Sequence, residues 1–247
     1  MTGRAAIVTG GSSGIGLEIA RMLGQEGHAV TVAARNADKL ALATEQLSSE
    51  GFDVIGHVAD FSGADSEAVV KGVISAHRER FGRLDVLVNN VGVGMSSPIE
   101  NLKTSSMDVQ LNLNLRVIPL FYREALDMLR AAAVEHRTAL VVNTSSIAGK
   151  YGEANLSIYS AAKAGVIGFT QAMNRELRQD GIKSTALCPA YVDTAMTEFA
   201  KQTIPAESMI TTQDVAELVR TLLKLSPGCL IPELVMTQPG DYNGMGL

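Results

Sequence analysis

The sequence is poor in several residue types, and each shortage narrows the class of protein. Tryptophan is absent from the 247 residues, and aromatic side chains make up 4% of them, so an aliphatic core is expected. The two cysteines, Cys188 and Cys229, have no neighbours at metal-ligand spacing, which predicts two reduced thiols and fits a cytoplasmic location. The four histidines also have no ligand-spaced partners, and no metal site is expected.

Runs of like charge and long apolar stretches are missing as well. The net charge is −5 without any cluster of Lys and Arg, which argues against nucleic acid or anionic membranes as partners. No stretch approaches the roughly 18 apolar residues of a membrane span, and no signal-peptide pattern is expected near Met1. The content of 46% hydrophobic and 19% charged residues is typical of one globular domain, predicted over residues 1–247.

Short apolar runs alternate with longer amphipathic segments along the chain. The runs are continuous, which is typical of parallel strands buried on both faces. The alternation predicts an α/β fold, a Rossmann-type doubly wound parallel sheet of seven strands with about six helices on its two faces. The predicted strands are Ala5–Thr9, His28–Ala33, Phe52–Val58, Leu84–Asn89, Thr138–Thr144, Lys183–Cys188 and Cys229–Val235. The predicted helices are Gly14–Glu26, Ala37–Ser49, Ser66–Phe81, Ser105–Val134, Ser157–Gln179 and Thr212–Leu225, with Ala190–Ile210 irregular.

A glycine-rich turn joins the first predicted strand to the first helix. Glycines there remove the Cβ atoms that would block a tight turn and the approach of a pyrophosphate, although tight turns use glycine in any case. The helix start supplies free N–H groups and a positive dipole end. The turn therefore predicts dinucleotide binding by Gly10, Ser12, Ser13, Gly14, Ile15 and Gly16.

The end of the second strand indicates which dinucleotide is bound. A site that prefers NAD usually has Asp or Glu there, to accept from the ribose 2′-hydroxyl. Here Arg35 and Asn36 follow the strand instead, and a guanidinium can pair with a 2′-phosphate. We predict NADP(H), with NAD(H) the less favoured cofactor; a solvated surface arginine is the alternative interpretation of Arg35.

A tyrosine and a lysine four residues apart form the candidate proton-transfer pair. Tyr159 and Lys163 share one face of a predicted helix. We expect the ammonium to lower the phenol pKa from its usual ~10, so that the phenol exchanges a proton with a carbonyl or alcohol oxygen near neutral pH. Such pairs are common on solvated helices, but Ser146 lies thirteen residues upstream at a strand end and could hold the substrate oxygen. Ser145 is the competing candidate.

Together these motifs resemble those of the short-chain dehydrogenase/reductase family in its short, single-domain form, and the resemblance covers nearly the whole chain. The sequence Asn89-Asn90-Val91-Gly92 matches a family motif after the fourth strand, with Val91 where alanine is usual. Asn114 falls where the family has a helix asparagine, and Asn112 is a near neighbour. The chain is similar to 3-oxoacyl-[acyl-carrier-protein] reductase-like and carbonyl reductase members.

The resemblance implies hydride transfer between C4 of the nicotinamide and a carbonyl or carbinol carbon. Tyr159 would act as general acid or base, and Ser146 would orient the oxygen. Lys163 would hold the ribose hydroxyls and tune Tyr159. Asn114 would help hold a water that links Lys163 to solvent.

The resemblance also implies further cofactor contacts. Asp60 would accept from the adenine amine, with a helix or turn cap as its structural alternative. Asn90 and Gly92 would stabilise the sheet beside the ribose, and Val192 and Thr194 would hold the carboxamide. The family's usual homodimer or homotetramer is expected, although the residues from Thr237 onward depart from the family's glycine-rich end.

The loops at the strand ends predict an apolar substrate pocket. The candidate lining residues are Val93, Gly94, Met95, Ile147, Tyr151, Tyr191, Met196 and Phe199, and several of them could simply pack the loops. They carry no cluster of cations to bind a carboxylate, which favours a small hydrophobic ketone, aldehyde or secondary alcohol. We therefore predict an NADP(H)-dependent ketone reductase; the alternative is a non-catalytic NAD(P)-binding regulatory protein of the same fold.

Overall fold

Seven parallel strands form one sheet in a computed structural model that describes residues 3–239. The strands are β1 (Arg4–Thr9), β2 (His28–Ala34), β3 (Val54–Val58), β4 (Val86–Asn89), β5 (Ala139–Thr144), β6 (Ile182–Pro189) and β7 (Glu233–Met236). Their order across the sheet is β3-β2-β1-β4-β5-β6-β7, and every pairing is parallel. The predicted doubly wound sheet is confirmed. Most of the tail from Thr237 onward, residues 240–247, lies outside the described residues.

Helices cover both faces of the sheet. They are α1 (Gly14–Gln25), α2 (Ala37–Ser49), α3 (Ser66–Phe81), α4 (Thr104–Leu111), α5 (Val117–His136), α6 (Ser157–Glu176) and α7 (Thr212–Lys224). Within residues 3–239, none of them has both the length and the apolarity that crossing a bilayer requires.

The core consists of two mainly aliphatic layers, one on each face. On β1, Val8 packs toward α1, α2 and α7 with Ile19, whereas Ile7 packs toward α3, α5 and α6 with Phe121. Neighbouring residues of a strand point to opposite faces, so continuous apolar runs are needed to fill both layers. Fully burying one such side chain contributes roughly 1.5–3 kcal/mol, and the two layers hold the strand ends rigidly in register.

The predicted single helix over Ser105–Val134 is wrong in one detail. The structure has α4 and α5 there, joined by a π-helical segment, Asn112–Arg116. α4 has little amphipathic pattern of its own, and no residue spacing marks the wider turn.

The last strand also begins later than predicted, at Glu233 rather than Cys229. Pro232 has no N–H to donate to a ladder. The carbonyls of Ser226 and Cys229 instead accept hydrogen bonds from Lys183 Nζ at 3.1 and 3.2 Å. The backbone hydrogen bonds to β6 begin at Pro232, whose carbonyl oxygen accepts from Ala186 N–H at 3.0 Å.

The segment after β6 was expected to be irregular, and it contains two short 3-10 helices, Ala195–Gln202 and Ala206–Ser208. A small cluster of Ala200, Ile204 and Met209 packs them together. An isolated bridge between Val192 and Ile210 closes the base of the segment. This segment folds over the carboxyl ends of the strands.

Candidate active site

A cleft of about 440 Å³ lies at the carboxyl ends of the strands. Strand β1 has β2 on one side and β4 on the other, so the chain leaves the sheet in opposite directions at this point and opens a crevice. The cleft is lined by Gly10, Ser12, Ser13, Gly14, Ile15, Arg35, Asn36, Asp60, Asn90, Gly92, Asn114, Ser146, Tyr159, Lys163, Val192 and Thr194. These are all the predicted site residues except Gly16.

The glycine turn leaves the start of α1 open to an anion. Gly10 and Gly14 have φ values of 66° and 54°, a left-handed conformation that glycine adopts without strain. Ser13 is the N-cap of α1, yet its side chain makes no capping hydrogen bond, and the first turn has no acidic residue. The free N–H groups and the helix dipole therefore fit a pyrophosphate.

Gly16 does not line the cleft, so the structure gives no support to its predicted contact with the phosphates. A Cβ at this position would overlap the carbonyl oxygen of Gly10 and lie 2.6 Å from Asn90 Nδ2. The role of Gly16 is to let α1 pack closely against the turn and against β4.

Two cations lie at the outer end of the cleft. Arg35 follows β2, and Lys39, in the first turn of α2, lines the cleft beside it. Both are exposed, and neither makes an ion pair with another described residue. Asn36 Oδ1 accepts a hydrogen bond from Lys39 N–H at 2.8 Å and so caps α2.

No sequence motif pointed to Lys39 as a residue of this cleft. Arg35 and Lys39 stand four residues apart, but they span the end of a strand and the start of a helix. Helix spacing therefore does not predict that they meet at one cavity.

Asp60 lies in the cleft with its carboxylate ionised. Its Oδ1 accepts a hydrogen bond from Ser62 N–H at 2.9 Å. Hydrogen bonds from the backbone and the side chain of Ser62, together with the charge of Arg35, hold the pKa of Asp60 below its usual value. The structure thus shows a turn-capping role for Asp60.

Lys163 is buried at the floor of the cleft. Its Nζ donates to the carbonyl oxygen of Thr144 at 2.7 Å, at the end of β5. Burial lowers the pKa of Lys163 to about 8. The hydroxyl of Thr144 donates to Asn90 Oδ1 at 3.1 Å, which joins the ends of β4 and β5 beneath the lysine.

Tyr159 faces Ser146 across the cleft. Burial raises the pKa of the Tyr159 phenol, a hydrogen bond with the Ser146 side chain opposes the rise, and the charge of Glu153 adds to it. The prediction that Lys163 lowers this pKa is therefore wrong for the protein groups taken alone. The Lys163 ammonium lies 5.6 Å from the centroid of the tyrosine ring and is bonded to Thr144.

The two adjacent serines have different partners. The hydroxyl of Ser145 is buried and donates to the carbonyl oxygen of Lys163 at 2.7 Å. Ser146 Oγ accepts a hydrogen bond from Ala148 N–H at 3.2 Å and faces the cleft and Tyr159. The structure therefore favours Ser146 for a substrate contact, and Ser145 supports the lysine-bearing turn of α6.

Asn114 lies in the π-helical segment with all its side-chain bonds made. Its Oδ1 accepts from Val93 N–H at 3.0 Å, and its Nδ2 donates to the carbonyl oxygens of Val93 and Gln110 at 2.8 and 2.9 Å. A Cβ at Gly92 would lie 2.7 Å from Asn114 Oδ1 and 3.4 Å from Lys163 Nζ. Gly92 thus permits the close approach of these two groups. Asn112 instead donates to Ser62 O at 3.4 Å, away from the cleft.

Thr9 is a second residue that the sequence did not single out. Its Oγ1 accepts hydrogen bonds from the N–H groups of Asn90 and Val91 at 2.9 and 3.1 Å. The Asn90 side chain donates to the carbonyl oxygen of Gly10 at 3.4 Å. These bonds hold the ends of β1 and β4 together below the glycine turn.

The segment after β6 reaches the glycine turn. Thr194 Cγ2 would lie 3.3 Å from a Cβ at Gly14, so Thr194 stands over the start of α1. Thr194 and Thr197 cap the 3-10 helix Ala195–Gln202 reciprocally. Val192, which precedes them, is buried and lines the cleft.

The apolar residues predicted for the substrate pocket divide into two groups. Val93 and Met196 line the cleft, and a Cβ at Gly94 would lie 3.9 Å from Tyr159 Cε2. The others are Met95, Tyr151, Tyr191 and Phe199, which lie outside the lining, and Ile147, which is buried. Tyr191 and Phe199 pack edge to face with centroids 6.4 Å apart.

Comparison with known proteins identifies related sequences and structures. A protein-family model described as short chain dehydrogenase matches residues 4–205. A putative ketoacyl reductase from Streptomyces coelicolor is 40% identical over 194 residues, covering 77% of this chain and 71% of the relative.

Two solved structures are also similar over nearly the whole chain. A variant of actinorhodin polyketide ketoreductase with NADPH superposes with a TM-score of 0.85 at 30% identity, covering 95% of this chain and 96% of that one. An alcohol dehydrogenase from Thermococcus sibiricus complexed with 5-hydroxy-NADP has a TM-score of 0.85 at 28% identity, covering 96% and 97%.

Proposed function

The chain belongs to the short-chain dehydrogenase/reductase family, as an enzyme that acts on C=O and CH–OH groups with NADP(H), and from this premise we propose that it reduces hydrophobic ketones with Tyr159 as the proton donor. The observation that carries the proposal is the meeting of Ser146, Tyr159 and a buried Lys163 in one cleft below an uncapped helix start. Similarity to ketoacyl reductases supports reduction of a carbonyl group.

The residues present fit a bound NADP(H). The uncapped start of α1, with Gly10, Ser12, Ser13, Gly14 and Ile15 around it, would hold the pyrophosphate. Arg35 and Lys39 would hold the 2′-phosphate beside Asn36. Asp60 would take the adenine amine, Asn90 and Gly92 would lie by the ribose, and Val192 and Thr194 would hold the carboxamide.

When bound in the cleft, the nicotinamide would supply a hydride for the carbonyl carbon. Ser146 orients and polarises the carbonyl oxygen by a hydrogen bond. Tyr159 gives its phenol proton to the same oxygen as negative charge develops there. Lys163 then shares in returning a proton to Tyr159, because its lowered pKa of about 8 lets it exchange protons near neutral pH.

Asn114 serves this relay through its backbone rather than its side chain. Its amide group is fully engaged by Val93 and Gln110. We propose that the carbonyl groups of the π-helical segment, Asn112–Arg116, hold the water that links Lys163 to solvent. π-helical turns within α-helices are frequent at functional sites, which fits this role.

NADPH oxidation across a panel of ketones tests the function directly. We expect turnover with apolar methyl ketones and cyclic ketones, and little with keto acids. NADPH binding without turnover across the whole panel would support the alternative, a non-catalytic regulatory protein of the same fold. The presence of Ser146, Tyr159 and Lys163 in one cleft favours the enzyme.

We also propose that the protein forms a homodimer or homotetramer and is located in the cytoplasm. The family resemblance supports the assembly, and two free cysteines, Cys188 and Cys229, suit a reducing compartment. Light scattering after gel filtration would determine the number of subunits.

A further inference from the structure

The chain leaves β6 along the wall of the cleft. Ala190 and Val192 both line the cleft, and Tyr191 lies between them with its ring packed on Phe199. Ala190 N–H donates to the carbonyl oxygen of Met236 at 2.8 Å, at the end of β7. This stretch of cleft wall therefore lies directly beside the end of the last strand.

The two ends of the segment that follows β6 meet at the Tyr191 carbonyl. Ile210 N–H donates to the carbonyl oxygen of Tyr191 at 3.0 Å. Asp193 N–H donates in turn to the carbonyl oxygen of Ile210 at 2.8 Å, which completes the bridge between Val192 and Ile210. One side of the backbone at Tyr191–Asp193 thus faces Ile210.

Gln238 supplies a second donor to the same carbonyl. Its side chain is buried, and its Nε2 donates to the carbonyl oxygen of Tyr191. A carbonyl oxygen accepts but cannot donate, so the amide nitrogen has to be the atom that faces it. Within residues 3–239, Gln238 Oε1 has no hydrogen-bond partner. A buried amide that leaves one polar atom unpaired costs stability, so filling space does not account for a glutamine here.

The peptide group after Tyr191 transmits this contact to Val192. A trans peptide group is planar, so the Tyr191 carbonyl and the Val192 N–H point in opposite directions. Because Ile210 and Gln238 hold the carbonyl on one side, the Val192 N–H is turned to the other. No described residue accepts a hydrogen bond from this N–H. Val192 lines the cleft, so its N–H is a free donor for a ligand there.

Thr197 fixes the next peptide group of the same stretch. Its Oγ1 donates to the carbonyl oxygen of Val192 and accepts from Thr194 N–H at 3.3 Å. The backbone from Tyr191 to Thr194 is therefore held from two directions, by Gln238 beyond β7 and by Thr197 in the 3-10 helix. The Val192 N–H and the Thr194 side chain keep a fixed arrangement as a result.

We propose that Gln238 is a positioning residue for the nicotinamide: by holding the Tyr191 carbonyl, it directs the Val192 N–H toward the carboxamide of the bound cofactor. This inference rests on the proposed function, which places the carboxamide at Val192 and Thr194, and deepens it. Gln238 does not line the cleft and acts through the peptide group alone. Hydride transfer needs a well-oriented nicotinamide ring, so a loosened Val192 N–H should slow it.

The test compares two ligands of the full-length protein, NADPH and adenosine 2′,5′-bisphosphate, which has the adenine and the 2′-phosphate but no nicotinamide. Gln238→Met keeps the length of the side chain and removes the donor. The NADPH dissociation constant should rise about three- to tenfold, as the loss of one hydrogen bond predicts. The dissociation constant of the bisphosphate, which reaches only the end of the cleft near Arg35, should stay within about twofold of the wild type. Nicotinamide fluorescence and calorimetry measure the two constants.

Two further variants separate the donor from the fold. Gln238→Glu keeps the shape of the side chain but puts an acceptor against the Tyr191 carbonyl, so it should weaken NADPH binding as Gln238→Met does. Gln202→Met makes the same replacement at an exposed position of the segment after β6, and both dissociation constants should stay as in the wild type. Bisphosphate binding of wild-type strength shows that each variant is folded.

The outcomes distinguish this inference from the function beneath it. NADPH affinity that is unchanged in both Gln238 variants would overturn the positioning role. Equal losses for NADPH and the bisphosphate would overturn it too, because they would show a general structural role. A wild type that reduces no ketone of the panel would overturn the reductase function, and the ratio of the two dissociation constants would still decide the role of Gln238.

Discussion

At the scale of single residues, the site depends on one buried ammonium and one partly buried phenol. Lys163 is held by the carbonyl of Thr144 and loses much of its basicity to burial. Tyr159 is made less acidic by burial and by Glu153. The protein groups alone therefore keep the phenol protonated, which suits a residue that donates a proton to a carbonyl oxygen.

The proposed selection of NADPH by Arg35 and Lys39 is open to a direct test. Arg35→Asp should move the preference from NADPH toward NADH by about 10- to 100-fold in kcat/KM, because it replaces a charge-assisted hydrogen bond with repulsion of the 2′-phosphate. Lys39→Ala should shift it in the same direction by a smaller factor. Lys71→Ala, on the exposed face of α3, is the matched control. Unchanged preference ratios in both Arg35→Asp and Lys39→Ala would remove these residues from the phosphate site.

At the scale of elements, the loop after β4 and the π-helical segment fit together through Gly92. The Asn114 side chain bonds both backbone groups of Val93, and Gly92 leaves room for Asn114 and Lys163. These contacts tie the loop to the π-helical segment beside Lys163 of α6.

Gly92→Ala tests that fit. The added methyl group would lie 2.7 Å from Asn114 Oδ1, so we expect a loss of about 1–3 kcal/mol in the free energy of unfolding and at least a tenfold fall in turnover. Urea denaturation and steady-state kinetics measure the two effects. Gly94→Ala, in the same loop, meets its nearest atom at 3.9 Å and should keep wild-type stability. Equal stability of the two variants would contradict the fit.

The sequence predicts the elements well where the pattern is local. Strand runs and glycine motifs identify the sheet, the turn and the Tyr159–Lys163 face, because period and spacing are properties of neighbouring residues. The contacts of Lys39, Thr9 and Gln238 depend on which loops meet at the sheet edge, and no spacing encodes that. The π-helical segment escapes because no residue spacing marks a wider turn, and the late start of β7 escapes because the apolar run begins before Glu233.

At the scale of the whole molecule, burial of Lys163 lowers the free energy of unfolding. The unfolded chain keeps Lys163 protonated up to its usual pKa, whereas the folded chain releases this proton above about 8. Below that pH, burying the charge opposes folding by on the order of 3 kcal/mol. Two aliphatic layers on the sheet offset this cost.

The free energy of unfolding should therefore depend on pH through Lys163. Between about pH 8 and 10 the unfolded state binds more protons at this residue than the folded state, so its contribution to stability rises with pH. The difference in urea stability between Lys163→Met and wild type should change steadily across this range in favour of the wild type. Lys103→Met, at an exposed position, is the control. A pH-independent difference for Lys163→Met would show that the buried amine carries no such linkage.

The central claim is that Tyr159 passes the proton, and Tyr159→Phe tests it most directly. Removing the hydroxyl should lower kcat for ketone reduction by about 10²- to 10⁴-fold, the usual contribution of a general acid. The NADPH dissociation constant, measured by nicotinamide fluorescence, should stay within about twofold of the wild type. Tyr151→Phe, at an exposed position eight residues before Tyr159, should retain wild-type turnover. Near-normal turnover in Tyr159→Phe would contradict the mechanism.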